Sequence, residues 1–387
     1  MSRRVLLVQP SMQPPGGGNG VAAWALQALA TDHRVTVLSW RPVDVEPINR
    51  FFGTSLRPGC FATLAVPRHW RVVPDRLPVP AALLRSGLLM RYTRRVIDGF
   101  DVILGFHNEI DYGRRGIQYV HYPAYLRPRP SVDLRWYHRF PPALKTYYAV
   151  ADRLAGFSLE RMKSNLTLAN SDWTAARIGQ LLGITAQTLY PPVDATSHPL
   201  PWDQRRRGFV AIGRISPEKE YERVMRIVGR VRANAPDVTL TIVGTWDDAT
   251  RGYLDRLRQL ARSLDPSGQW LTFSRNLARD EVRQLLASHR YGIHGMREEH
   301  FGMAPAEMAR NGMLVWVPNG GGQVEIVGNA PELRYDSEDE AVARILHAMH
   351  DTAEERRLRD HLAVHTAQFS PDRFMAAMRS IVETFRE

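Results

Sequence analysis

The chain predicts an α/β protein made of two doubly wound, Rossmann-like halves, and three observations carry that expectation. It opens with an apolar run, Val5-Leu6-Leu7-Val8, of the kind found in a parallel strand buried on both faces. A second run of the same kind starts afresh at Gly208-Phe209-Val210-Ala211-Ile212. Between them lies a proline-rich stretch without periodic pattern, from Leu189-Tyr190-Pro191-Pro192 to Pro199-Leu200-Pro201. The expected division is 1–195, 196–370 and a terminal helix over 371–387 that crosses back to the first half.

In the first half a loop over 13–20 follows the opening strand, then a helix over 21–31 and a strand over 34–38. This β-loop-α-β order calls for a right-handed crossover and a parallel sheet. Further strands are expected at 102–105, 118–121 and 166–170, with Ser171 capping a helix that begins near Asp172. In the second half the expected strands are 208–214, 238–244, 270–273 and 291–295. Helices are expected over 280–287, 304–311, within 338–368, and over 371–385. Gly312 stands where a helix stop belongs.

With 387 residues, 44% of them hydrophobic, the chain can fill two cores. A lone cysteine, Cys60, excludes an internal disulfide and a cysteine-rich metal site, and its default state is buried and inert. The N-terminus runs straight into strand-like sequence, so no signal peptide is expected, and no apolar run reaches spanning length. The formal net charge of +11 is unevenly placed: residues 1–200 carry 24 Lys and Arg against 13 Asp and Glu, and the remainder carries 27 of each. A basic first half suits an anionic partner, whether a membrane surface or a lipid-linked pyrophosphate. Nucleic acid is disfavoured because no recognition motif accompanies the charge. Residues 68–95 mix arginines, aromatics and apolar residues in a way that fits either a helix on an anionic bilayer or a core-packed helix with a basic outer face. Lysine is scarce, occurring only at Lys145, Lys163 and Lys219.

The most informative stretch is Glu299-His300-Phe301-Gly302-Met303-Ala304-Pro305-Ala306-Glu307. A strand, a glycine turn and a helix N-terminus collect free N–H groups and the positive end of a helix dipole, which suits a phosphate. A carboxylate on either side can accept from sugar or ribose hydroxyls. Upstream, Gly213-Arg214-Ile215-Ser216-Pro217-Glu218-Lys219 places a guanidinium fork and a compact ammonium just past a strand, a pairing that can grip phosphate oxygens. The run Gly16-Gly17-Gly18-Asn19-Gly20 lets backbone amides approach a ligand. His121 stands at a strand C-terminus, where ligand residues belong in an open α/β sheet.

Together with Glu307-Met308-Ala309, Gly312 and Gly320-Gly321-Gly322-Gln323-Val324-Glu325, these motifs resemble the retaining family-four glycosyltransferases of the GT-B fold. Their wording is most similar to the dolichol-pathway alpha-1,2-mannosyltransferases, as are Tyr119-Val120-His121-Tyr122-Pro123 and Asn170-Ser171-Asp172-Trp173-Thr174. The resemblance implies two Rossmann-like domains facing each other across a cleft, the first binding the acceptor and the second a nucleotide sugar. It assigns Arg214 and Lys219 to the diphosphate, Glu299 to the hexose and Glu307 to the ribose. The amides of Phe301, Gly302 and Met303 would meet phosphate or donor hydroxyls, Gly17 and Gly18 would cover the diphosphate, and His121 would lie beside the donor sugar.

It further implies retention of configuration with the leaving phosphate as base, and no metal or other cofactor. The donor is GDP-mannose or a UDP-sugar, and the acceptor a glycan, glycolipid or small molecule. The expected location is cytoplasmic, with a peripheral contact at the inner membrane face left open. The helix reads Glu307-Met308-Ala309-Arg310-Asn311-Gly312 where the family has Glu-Ala-Met-Ala-x-Gly, and Pro305 is tolerable only in a first turn. Two other readings stay open: a catalytically silent sugar-nucleotide-binding partner, and a nucleotide-sugar epimerase on the same fold. A cofactor-dependent phosphorylase would need a Schiff-base lysine, and none of the three lysines is a clear candidate.

Overall fold

The structure is a computed structural model that describes residues 2–14, 16–76, 82–123, 141–195, 199–246 and 250–386. The chain divides into two compact units, Met1–Pro192 with Pro371–Glu387, and Val193–Ser370. In the first unit the order is β1 (Arg4–Val8), α1 (Gly17–Leu29), β2 (Arg34–Ser39), α2 (Val45–Phe52), β3 (Ala62–Ala65), α3 (Arg68–Arg76) and α4 (Ala82–Val96). Then come β4 (Val102–Gly105), β5 (Ile117–Val120), α5 (Pro141–Ala155), α6 (Leu159–Lys163), β6 (Leu166–Ala169), α7 (Asp172–Leu182) and β7 (Ala186–Thr188). The strands form one parallel sheet in the order β3-β2-β1-β4-β5-β6-β7.

The apolar opening run follows from burial on both faces of this sheet. Val5 and Leu7 enter the core with α1, whereas Leu6 and Val8 enter the opposite core with Leu89 and Met90 of α4. The helix after residue 370, α15 (Pro371–Thr384), belongs to this unit. Its Phe374, Met378, Ile381 and Val382 share the core of α1, and Arg3 donates to the carbonyls of Phe385 and Glu383 at 2.9 and 2.7 Å.

Two expectations change here, and a third that was open gains packing detail. The helix expected from residue 21 begins at Gly17, so Gly17, Gly18 and Gly20 lie in its first turn and only Gly16 stays outside it. These glycines answer close packing. A Cβ on Gly18 would stand 2.8 Å from His121 Nε2, and one on Gly20 2.9 Å from the Phe52 ring. Cys60 is partly exposed rather than buried. In the basic segment 68–95, residues 77–81 lie outside the described residues, and several of its other side chains are engaged within the unit. Trp70 packs edge-on against Tyr92 with the Arg95 guanidinium 4.7 Å from its ring centroid. Arg94 pairs with the fully buried Asp111 at 3.1 Å. That is the packing of a core-facing helix. Among the described residues no helix is long and apolar enough to cross a membrane.

The second unit runs β8 (Arg206–Ile212), α8 (Tyr221–Arg232), β9 (Thr239–Gly244), α9 (Arg251–Leu264), β10 (Leu271–Arg275), α10 (Arg279–Ser288) and β11 (His289–Ile293). It continues with α11 (Met303–Arg310), β12 (Leu314–Pro318), α12 (Val324–Val327), β13 (Arg334–Tyr335), α13 (Glu338–His350) and α14 (Thr352–His365). Its parallel sheet has the order β10-β9-β8-β11-β12-β13. Strand order therefore reverses between β8 and β11, and the loops leaving those two strands open the crevice in which ligands of such sheets bind. Phe209, Tyr291 and Trp316, one from each of β8, β11 and β12, form a buried aromatic cluster with centroids 5.1 to 6.0 Å apart.

The turn after β11 is held from behind by the glycine run. Gly322 N donates to Glu299 O at 2.7 Å, and Gly321 forms a parallel bridge with Glu299. A Cβ on Gly321 would stand 2.3 Å from Glu299 O, and its φ of 70° lies in the left-handed region. The fully buried Gln323 amide adds bonds to the carbonyls of Met296, Arg297 and Pro318 at 2.7, 3.2 and 3.1 Å. These glycines thus build the Glu299 turn. Gly321→Ala is expected to destabilise the protein by about 2 kcal/mol or more, through left-handed strain and a displaced backbone. A thermal midpoint equal to the parent's would contradict the close approach.

Candidate donor site in the second unit

Lys219 ends a short turn, Pro217–Lys219, in the loop after β8. Glu220 follows with a positive φ of 47°, a strained setting for a side-chain-bearing residue. It is held by ion pairs with Arg223 at 2.6 Å and Arg297 at 3.3 Å. Gly295, just past β11, lets the two loops meet: a Cβ there would stand 2.6 Å from Lys219 O and 2.8 Å from Glu220 O. Gly213 makes room in the same way, since its Cβ would lie 3.0 Å from the Tyr221 hydroxyl and 3.6 Å from Lys219 Cε.

At that meeting Lys219 Nζ pairs with Glu299 Oε2, and His294 Nε2 lies 3.1 Å from the same oxygen. A carboxylate only accepts, so Nε2 carries the proton and His294 donates. The Lys219 and Glu299 side chains are 15% and 18% exposed, and His294 is 3% exposed, so the cluster has one open side. Burial alone would raise the Glu299 carboxyl. The Lys219 charge and the bonds from His294 and Lys219 reverse this and hold it well below the usual carboxylate range. Burial pushes the His294 imidazole below its ordinary value against its bond to Glu299, so it stays neutral. Tyr335 fixes the His294 backbone by donating to its carbonyl.

The other site residues fall into place around this cluster unequally. Arg214 shares the loop of Lys219, but its side chain is 74% exposed and leans to Glu218 at 3.5 Å. Gly302 caps α11 with a φ of 105°, and Met303 is the first helical residue. Pro305 is the third, inside the first turn where its missing N–H costs nothing. Phe301 offers only its backbone, because its ring is buried edge-on against Phe369 at 5.4 Å. Glu307 lies on α11 and pairs with Arg279 of α10 at 2.9 Å. The altered helix end is well made: Asn311 Nδ2 donates to Glu307 O at 2.7 Å and Gly312 takes the left-handed φ of 77°.

His121 and Gly18 meet in the first unit. His121 Nε2 lies 2.9 Å from Phe106 O, its backbone N–H donates to Asn108 Oδ1 at 2.9 Å, and its carbonyl accepts from Asn170 at 3.1 Å. Gly17 is the first residue of α1. His107 follows β4, and burial lowers it to about 4, which makes it neutral at physiological pH. The sequence motifs singled out neither His294 nor Arg279. A histidine directly past the switch-point strand was a usable signal; nothing local marks Arg279, which reaches Glu307 from another element. Among the described residues no cluster of three or more His, Cys, Asp or Glu could hold a metal ion.

Residues 194–362 match the family described as glycosyl transferases group 1. The human GDP-Man:Man(3)GlcNAc(2)-PP-Dol alpha-1,2-mannosyltransferase is 27% identical over 241 residues, covering 57% of this chain and 48% of that enzyme. The Xenopus laevis enzyme of the same name is 25% identical over 291 residues, covering 67% and 58%. The chain thus spans about half the length of the curated relatives it matches. Among solved structures, Anabaena Alr3699/HepE in complex with UDP and glucose superposes with a TM-score of 0.68 at 16% identity, covering 99% of this chain and 100% of that one. WaaG, a glycosyltransferase involved in lipopolysaccharide biosynthesis, gives 0.64 at 14% identity, with 97% and 99% covered. The chain has the GT-B fold, matches the glycosyl transferases group 1 family over residues 194–362, and is similar to the alpha-1,2-mannosyltransferases.

Proposed function

We propose that this protein is a retaining glycosyltransferase that moves a hexose from a nucleotide-diphosphate sugar to a hydroxyl of a glycan, glycolipid or small-molecule acceptor. The observation that carries the reading is the Lys219–Glu299–His294 cluster at the switch point of the second sheet, beside the N-terminus of α11. GDP-mannose is the favoured donor, because the curated relatives are named for it. Arg214 and Lys219 take the diphosphate, the first as an exposed guanidinium fork and the second as a compact, largely buried ammonium. Glu307, braced by Arg279, accepts from the ribose hydroxyls, and Glu299 accepts from the hexose. The amides of Gly302 and Met303, at the positive end of α11, face phosphate or sugar oxygens.

Breaking the anomeric bond builds positive charge on the sugar and negative charge on the leaving diphosphate. Lys219, Arg214 and the helix dipole stabilise the latter more in the transition state than in the ground state. The departing phosphate then serves as base for the acceptor hydroxyl on the same face, so no protein nucleophile and no metal is needed. We assign His121, which packs on Gly18, to the transferred sugar on the strength of the family resemblance. The basic character of residues 1–200 fits a peripheral contact with an anionic bilayer, which requires co-sedimentation with anionic but not neutral vesicles.

Lys219→Ala is expected to lower turnover by at least about tenfold while leaving the circular dichroism spectrum unchanged; near-parental turnover would remove the diphosphate role. Glu307→Ala should weaken nucleotide binding by calorimetry more than it lowers turnover at saturation. Unchanged affinity would end the ribose assignment.

A further inference from the structure

Both groups that bind the Glu299 carboxylate do so through one oxygen. Lys219 Nζ and His294 Nε2 converge on Oε2, and Oε1 has no hydrogen-bond partner among the described residues. Lys219 Nζ in turn has Met296 Sδ, at 3.5 Å, as its one other hydrogen-bonding contact among those residues. The ammonium needed for a diphosphate is therefore already neutralised by the carboxylate needed for a sugar. Two incoming phosphates cannot leave that pair undisturbed, because Glu299 repels them while Lys219 attracts them. Losing Lys219 would strand a buried carboxylate at large cost if nothing else held it. His294 does hold it, from the closed side of the cluster and in the donating tautomer.

We infer that Glu299 is an internal counter-anion which the donor's diphosphate displaces from Lys219, and that His294 is the positioning residue that retains the carboxylate through the exchange. Held by His294 at Oε2, Glu299 keeps Oε1 turned to a sugar hydroxyl after Lys219 has moved to the phosphates. The site thereby favours the intact donor over the bare nucleotide. A nucleoside diphosphate loses the Lys219–Glu299 pair and gains nothing for Glu299, whereas a sugar nucleotide supplies the hydroxyl that Glu299 then accepts from. This inference rests on the donor-site reading above and adds to it a discrimination between substrate and product.

The test is calorimetric titration of GDP and of UDP into the parent protein, Glu299→Gln, His294→Leu and His294→Gln, with transfer turnover measured on each. Glu299→Gln keeps the side-chain size and removes the charge. It should bind the parent's nucleoside diphosphate about tenfold more tightly while losing turnover. His294→Leu should bind the nucleotide within about twofold of the parent but lose turnover, and His294→Gln, which restores an N–H donor, should recover most of it. Equal or weaker nucleotide binding by Glu299→Gln overturns the counter-anion role. Parental turnover in His294→Leu overturns the positioning role. If the parent binds neither nucleotide, the donor-site reading fails and this inference with it, an outcome distinct from both.

Discussion

The site depends on the ion pair between Lys219 and Glu299. Each belongs to a loop leaving a different strand, β8 and β11, and the two strands are neighbours at the point where the order of the sheet reverses. Much of the local structure serves to let those loops meet. Gly295 removes a Cβ that would collide with the carbonyls of Lys219 and Glu220, and Glu220 accepts a strained φ with two arginines securing it. Behind Glu299, the glycine run and Gln323 supply the hydrogen bonds that the turn cannot make internally. A pair of opposite charges so placed is a poor source of stability, since desolvation offsets most of its attraction. What the pair does is join the two loops, with one side of each side chain left open to solvent.

A similar logic of close packing runs through the first unit, with different partners. Gly18 accommodates the His121 ring, and Asn108 and Asn170 fix the backbone on either side of that histidine. In both units a polar side chain at the end of a strand is positioned by a glycine from a neighbouring element. The glycines are therefore structural at the level of the fold and functional only through what they allow to approach.

The fold was legible because buried parallel strands write themselves as apolar runs, and Val5–Val8 and Gly208–Ile212 each begin a unit. Glu299, Gly302 and Glu307 were legible because the turn and the helix after it are contiguous, and Lys219 because lysine is rare in this chain. The start of α1 was misplaced: consecutive glycines signal a loop locally, and the contacts with His121 and Phe52 that explain them are remote in sequence. The same limit hid Arg279 and the role of His294, whose partners are 28 and 5 residues away across element boundaries. Phe301 reads as part of the motif, yet its ring serves the core with Phe369.

The account turns on where a nucleotide binds, so the direct measurement is hydrogen–deuterium exchange with and without GDP, and in parallel UDP, in the absence of added metal. One of the two is expected to protect the amides of residues 213–220 and 299–307 together, the two loops joined by the Lys219–Glu299 pair. Protection that leaves both segments unchanged while the nucleotide is bound would contradict the assignment of the donor site.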